Sequence, residues 1–164
     1  MTVTFHVEPW GEFKRESLYL WPRHWEEIAL DRDKIKLNID YSQYDELDRN
    51  GALHVVVARN EGRIIGYWLT IIRPHLHYAD SLTAFTDVYY IAPEFRKGRT
   101  GLRLFQFGEK TLKQRGVQKV YTATKIHSDK SKVFEWLGYG RTEVVYTKFI
   151  GDKEWSQPLL APPE

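Results

Sequence analysis

Apolar and polar positions along the chain fall into short alternating runs separated by stretches of helical spacing. Val3 to Val7 alternates like a strand. From Phe13 to Leu30 the apolar residues keep a helix-compatible spacing that Pro22 interrupts, which predicts two helical pieces. Tyr41 to Arg49 is polar and acidic and reads as a helix lying on the surface. Leu53 to Arg59 and Arg63 to Ile72 are apolar runs joined by Asn60-Glu61-Gly62, a hairpin signal. Arg73 to Ser81, with Pro74 and two histidines, reads as a loop.

The second half continues with a run from Phe85 to Ala92, dense in aromatic and β-branched residues, which Pro93 ends because proline gives a ladder no N–H. A helix is predicted from about Arg99 to Arg115. Its apolar positions Leu102, Phe105 and Leu112, with Leu104 and Gly108 beside them, recur at three- and four-residue spacing, and Gly116 supplies a C-terminal stop. A strand from Lys119 to Lys125, a short helix from about Asp129 to Leu137 and a last strand from Thr142 to Ile150 complete the order. The tail from Gly151 reads as weakly ordered. These elements predict one α/β domain over residues 1–150, with a tail over 151–164. Its sheet is mixed, mostly antiparallel and twisted, with flanking helices. The strands Thr83 to Ala92 and Lys119 to Lys125 run parallel, joined by a right-handed helical crossover, and splay apart at their ends.

The chemistry concentrates between that strand and that helix. Arg96, Lys97, Gly98, Arg99, Thr100 and Gly101 form a basic, glycine-containing turn at a helix start. Free N–H groups there carry partial positive charge, and the glycines let an oxygen approach the backbone, so a phosphate or pyrophosphate is the expected ligand. Neither G-x-x-x-x-G-K-[ST] nor G-x-G-x-x-G can be laid on the stretch.

Composition narrows the classes. The 164 residues are 42% hydrophobic, enough for one domain with a full core, and the net charge of +2 does not call for nucleic acid. The absence of cysteine removes a disulfide framework, a thiolate nucleophile and a cysteine-held metal, and fits a reducing cytoplasm. The N-terminus lacks a signal-peptide core, and no segment has the roughly twenty apolar residues of a membrane span, so a soluble, cytoplasmic protein is expected. His75 and His77 have no third ligand at suitable spacing, and no metal site is expected.

The turn resembles motif A of the GNAT superfamily of acyl-CoA-dependent N-acyltransferases, in which a strand ending V-x-P precedes [QR]-x-x-G-x-[GA]. Ile91-Ala92-Pro93 matches the strand end, Arg96 the first motif position and Gly101 the last, while Arg99 stands at the usual middle glycine. The element order from Val3 to Ile150 is similar to that of the family, and Phe134-Glu135-Trp136-Leu137-Gly138-Tyr139 is similar to its Y-E-K-L-G-F segment. Among such proteins the chain looks most like small ones encoded by tailed bacteriophages.

The resemblance implies transfer of an acyl group, most simply acetyl from acetyl-CoA, to a primary amine by direct attack. The strand end Tyr89, Tyr90, Ile91 and Ala92 would meet the pantetheine arm, chiefly through the backbone of Tyr89 and Ile91. Arg96, Lys97, Gly98, Arg99, Thr100, Gly101 and Leu102 would hold the pyrophosphate. The family's frequent tyrosine acid falls on Phe134, which has no proton to give, and its pantetheine-binding Asn falls on His127. For the general base Asp87 is the first candidate, because period-2 geometry sets it on the face of Ile91. His127 is the second, and a water chain the third. Trp21, Trp25 and Tyr44 are candidates for shaping the acceptor site, with the loop Arg73 to Ser81. Two other functions remain open at this point: a GNAT-fold binding or structural protein without turnover, and a modifier of nucleic-acid base amines, which the near-neutral charge disfavours. A homodimer is also left open.

Overall fold

The computed structural model describes residues 2–151. Its five-stranded sheet has the order β1 (Val3–Val7), β2 (Leu53–Asn60), β3 (Arg63–His75), β4 (Tyr78–Ile91) and β5 (Lys119–Tyr121). The first four strands are antiparallel to their neighbours, and β5 runs parallel to β4. The helices are α1 (Trp10–Glu16), α2 (Leu20–Ile28), α3 (Tyr41–Arg49), α4 (Thr100–Gln114) and α5 (Ser131–Trp136), with a 3-10 turn at Pro93–Phe95. The expected α/β domain with a mixed sheet and one parallel pair is what forms.

Both faces of the sheet are covered, which explains why β2 and β3 read as nearly continuous apolar runs. Alternate residues of each strand feed two separate cores. On one face Trp10, Phe13, Leu20 and Trp21 of α1 and α2 pack on Val55, Val57, Tyr67 and Tyr90. On the other, Leu104, Phe105 and Leu112 of α4 and Phe134 of α5 pack on Val56, Trp68 and Ala84. Gly108 lets α4 settle onto the sheet, since a Cβ there would lie 2.5 Å from the Trp68 ring. Each core also buries a histidine. His24 meets the Tyr67 hydroxyl at 2.8 Å and stacks on Tyr90, while His54 meets the Thr111 hydroxyl at 2.9 Å. Burial pushes both down to about 4, so both are neutral in the folded chain at pH 7.

Several expectations need correction. The break between the first helical pieces falls at Ser17 to Tyr19, and Pro22 sits inside the first turn of α2, where its missing N–H costs nothing. Arg73 to Ser81 is no loop. β3 continues to His75 and β4 starts at Tyr78. Pro74 is tolerated because β2 ends its pairing at Ile71, leaving β3 one neighbour there, and the register shifts between Pro74 and His75. α3 is less superficial than its polarity suggested, since Tyr41, Tyr44 and Leu47 pack on the first core. β5 stops at Tyr121 instead of reaching Lys125, because β4 and β5 share only three register pairs before separating.

No strand forms over Thr142 to Ile150. Its apolar residues are consecutive rather than alternating, Val144, Val145 and Tyr146 are 73%, 72% and 90% exposed, and strand propensity without a neighbouring strand does not make a ladder. The tail expected beyond Gly151 lies outside the described residues.

Candidate active site

The site is organised by one irregularity in β4. Leu69 pairs with Val88 and Thr70 with Thr86, so Asp87 is the extra residue of a β-bulge. An uninterrupted strand would put Asp87 on the face of Ile91. The bulge reverses that expectation and sends its side chain to the α1–α3 face, where Val88 and Tyr90 also pack. There Asp87 lines a cavity of about 320 Å³ with Trp21, Tyr44 and Ile71.

Tyr44 donates its hydroxyl proton to Asp87 Oδ2. Tyr44 is itself fixed by stacking on Trp10 at 4.5 Å, and the Trp10 indole donates to Asp45 Oδ1 at 2.6 Å. Burial pushes the Asp87 carboxyl above the usual carboxylate range, and the Tyr44 hydrogen bond offsets part of that rise. Burial and the neighbouring Asp87 charge raise Tyr44, so it stays a protonated donor. A carboxylate with raised proton affinity and an exposed flank suits a proton acceptor.

On the opposite side of the same strand lies the splay. The Ala92 N–H bonds the Ile65 carbonyl on β3 at 2.8 Å, so by alternation the amides of Ile91 and Tyr89 point toward β5. β4 and β5 have no register pair beyond Phe85 and Tyr121. Across the gap the Tyr89 hydroxyl donates to the Ala123 carbonyl at 3.1 Å. Tyr89 meets Phe134 edge to face, with ring centres 5.7 Å apart. Burial raises Tyr89, so its hydroxyl too is protonated.

The basic turn divides into two parts. Arg96 forks onto Glu27 of α2 at 2.8 and 2.5 Å, and its Nε donates to the Ile91 carbonyl at 2.7 Å. Its guanidinium therefore fastens α2 to the end of β4 rather than pointing into open space. Burial alone would raise Glu27, but the Arg96 guanidinium and Lys130 hold it below the usual range. Lys97 and Arg99 are exposed, and neither forms an ion pair among the described residues. Gly98 takes a φ of +87°, which carries the chain into α4 where a bulkier residue would be strained. α4 has no side-chain cap, so the N–H groups of Thr100, Gly101 and Leu102 are left without intrahelical acceptors. A Cβ on Gly101 would stand 3.5 Å from Ile91 Cδ1, an ordinary contact. The fold does not itself demand glycine there. This turn offers an anion of pyrophosphate size both backbone donors and two side-chain cations.

His127 is exposed in the turn before α5, and no hydrogen bond joins it to Asp87 among the described residues. Tyr90 turns its buried ring to the α1–α3 face, stacked on His24, so only its backbone borders the strand end. His75 and His77 pack ring to ring at 5.6 Å at the far end of the sheet. Among the described residues no group of three or more His, Asp or Glu side chains gathers to hold a metal. No helix of the described residues is long and apolar enough to cross a membrane. Sequence reasoning missed Glu27 as the partner of Arg96 and Asp40 as a wall of the cavity. Glu27 carried no signal, whereas the Tyr41, Tyr44, Leu47 spacing of α3 marks the stripe that meets the core.

The fold has counterparts in known proteins. The model of the acetyltransferase (GNAT) family matches residues 10–139, and the chain belongs to that family. No curated protein is significantly similar to it in sequence. Ribosomal-protein-alanine N-acetyltransferase from Brucella melitensis biovar Abortus 2308 superposes with a TM-score of 0.68 at 17% identity, covering 92% of this chain and 100% of that one. Glucosamine-6-phosphate N-acetyltransferase from Arabidopsis thaliana superposes with a TM-score of 0.69 at 14% identity, covering 92% and 100%. A predicted acetyltransferase from Clostridium acetobutylicum, solved with acetyl-CoA, gives 0.67 at 13% identity, covering 90% and 96%. At such identities the likeness is one of fold.

Proposed function

We propose that the protein transfers an acetyl group from acetyl-CoA directly to a primary amine. The observation that carries this reading is the β4 bulge. It puts a carboxyl with raised proton affinity into a cavity on one face, while the amides of Tyr89 and Ile91 open into the splay that leads to the bare N-terminus of α4. An acyl donor reaching through the splay and an amine entering from the cavity would meet at the bulge.

In this reading the N–H groups from Lys97 to Leu102, with Lys97 and Arg99, bind the pyrophosphate, and the free amides of β4 bind the pantetheine arm. His127 borders the same arm at the rim. Asp87 takes the proton of the bound ammonium, directly or through water, and the amine attacks the thioester carbonyl. A backbone N–H facing the splay is the donor available to the oxyanion that develops. Collapse of the intermediate expels the thiolate, to which Phe134 gives no proton. Tyr89 carries a protonated hydroxyl into the splay and can supply one, regaining it from solvent, while the attacking nitrogen sheds its second proton to solvent as the amide forms. The two reactants are brought together mainly by position, which suits a reaction needing neither metal nor covalent enzyme intermediate. A reducing, cytoplasmic setting and a bacteriophage-like origin belong to the same reading, the first supported by the chain's lack of cysteine.

The test has two parts. Acetyl-CoA at a hundred times its dissociation constant should stabilise the fold by about 2.7 kcal/mol, and release of free thiol should depend on added amine. No thermal shift at millimolar acetyl-CoA would remove the proposal. A shift without acetylation of any amine would favour the second reading, an acyl-CoA-binding protein without turnover, for which the buried Phe134 speaks.

A further inference from the structure

The two lips of the splay are joined by a chain of side chains, and we propose that Glu27 is its clasp. It is a positioning residue held firmly by Arg96 on the β4 side and weakly by Ser128 on the β5 side, and its release from Ser128 admits and frees the acyl donor. This rests on the acetyl-transfer reading and specifies how its donor enters and leaves.

The β4 lip is fixed. Arg96 Nε donates to the Ile91 carbonyl at 2.7 Å, and its two terminal nitrogens fork onto both Glu27 oxygens at 2.8 and 2.5 Å. The fork ties the last turn of α2 to the end of β4 and to the turn that leads into α4. Bidentate, charge-assisted contacts are the strong kind. The Arg96 and Glu27 side chains are 33% and 26% exposed, so water screens this pair less than one on the open surface.

The β5 lip is held differently. β5 ends at Tyr121, and the chain then turns at Lys125 to Ser128, where the Ser128 N–H bonds the Lys125 carbonyl at 3.0 Å. Ile126 and His127 at the tip are exposed, whereas Ser128 is half-buried. Its hydroxyl donates to Glu27 Oε1 at 3.5 Å, the outer limit of a hydrogen bond. Lys130 backs the contact, donating from Nζ to the Ser128 hydroxyl at 2.9 Å, so a cation stands behind the group that meets the carboxylate. Glu27 therefore crosses from lip to lip with a short, forked grip on one side and a single long contact on the other.

The position of the clasp gives it its role. The Tyr89 bond to Ala123 is one crossing of the gap, and Glu27 to Ser128 is a second, nearer the strand end that Ile91 marks. A pantetheine arm running from the α4 N-terminus to the bulge at Asp87 has to pass between the same lips, and so past both crossings. Opening costs only the weaker catch, since the Arg96 fork stays closed while Ser128 lets go. The catch closes again behind the bound arm. A gate of that kind acts on entry and exit alike and leaves the balance between free and bound donor nearly unchanged.

The experiment follows acetyl-CoA binding by stopped-flow tryptophan fluorescence in the parent and in Ser128→Ala. The substitution spares the turn, which the Lys125–Ser128 backbone bond holds, and spares the Arg96 fork. Association and dissociation rate constants should both rise about three- to tenfold, the worth of one modest hydrogen bond, with the dissociation constant within about twofold of the parent's. Unchanged rate constants overturn the proposal. So does a rise in dissociation alone, which is what loss of a simple ligand contact at Ser128 gives. Hydrogen exchange in the acetyl-CoA-free protein separates this from failure of the transfer reading. The amides of Tyr89 and Ile91, which face the gap, should exchange about three- to tenfold faster in Ser128→Ala, while those in the middle of β3 stay as in the parent. That result supports the clasp even if no acetyl-CoA binds. Equal exchange in the two proteins overturns it, as does a rise that β3 shares, which marks general destabilisation.

Discussion

The two sides of β4 are built by opposite strategies. On the α4 side the donor groups are almost consecutive, from Lys97 to Leu102, and owe their usefulness to a helix start that any short βα turn can provide. On the α1–α3 side Trp21, Tyr44 and Asp87 come from three distant places and meet only because a bulge turns one side chain over. The first side is written in local order and, in the proposed function, would bind what acyl-CoA ligands share. The second depends on tertiary packing and is free to differ in what it accepts. A family with one donor and many acceptors needs that separation.

The largest expected effect tests whether chemistry resides on the acceptor side. Asp87→Asn should lower turnover about a hundredfold or more at neutral pH and leave acetyl-CoA binding unchanged. It should not lower the melting temperature. A carboxyl whose folded pKa is raised above its unfolded value binds more protons when folded, so its ionised form costs stability as pH rises, and Asn removes that cost. An unchanged rate with an amine the parent acetylates would move the base to His127 or to water.

Next in size is a test that should not distinguish the two sides at all. His24 lies in the acceptor-side core and His54 in the other, and burial lowers both to about 4. Each contributes stability that is complete above the unfolded pKa near 6.5 and is lost as pH falls toward 4, because the unfolded chain takes up the proton first. At pH 5 the loss is about 2 kcal/mol for each histidine relative to pH 8. Unfolding monitored by tryptophan fluorescence and by far-ultraviolet circular dichroism should fall together with pH. Separate transitions would mean that the two cores melt independently.

Smaller again is the contrast between Arg96 and Arg99, which sequence alone assigns to the same ligand. Arg99→Ala should weaken acetyl-CoA about tenfold by removing a charged contact and leave the apo protein as stable as the parent. Arg96→Ala should instead lower apo stability by about 1 kcal/mol, since it frees Glu27 and the Ile91 carbonyl, with a smaller effect on acetyl-CoA. Reversal of the two phenotypes in paired melting and titration experiments would put the phosphate at Arg96.

That contrast marks the limit of what residue order discloses. The element order, the parallel pair and the basic turn are all local patterns, and each was legible because period, proline and glycine act within a few residues. The bulge at Asp87 was not, since the run Phe85 to Ile91 contains no glycine or proline to mark an extra residue and the shift exists only relative to β3. The Glu27–Arg96 pair joins residues far apart in sequence, and nothing near Glu27 announces its partner. The missing strand after α5 shows the converse. Thr142 to Ile150 has the right residue types, but strand formation needs a neighbour that composition does not supply.

The smallest effect concerns the leaving group, where the two sides meet. A thiol has a pKa near 8.5, so a thiolate departs readily without full protonation, and help from an acid should be modest. Tyr89→Phe should therefore lower turnover by less than about tenfold, by a factor that stays flat across neutral pH because the raised Tyr89 hydroxyl is protonated throughout. Its structural cost is small, because the hydroxyl lost bonds one exposed carbonyl, that of Ala123. Phe134→Tyr adds a hydroxyl to a ring that already meets Tyr89 edge to face, with an overpacking penalty of about 1 kcal/mol. If a hydroxyl from either ring reaches the departing sulfur, the double variant Tyr89→Phe with Phe134→Tyr should recover the rate that Tyr89→Phe loses. A double variant no faster than Tyr89→Phe would leave Tyr89 a strap between β4 and β5, and make water the acid.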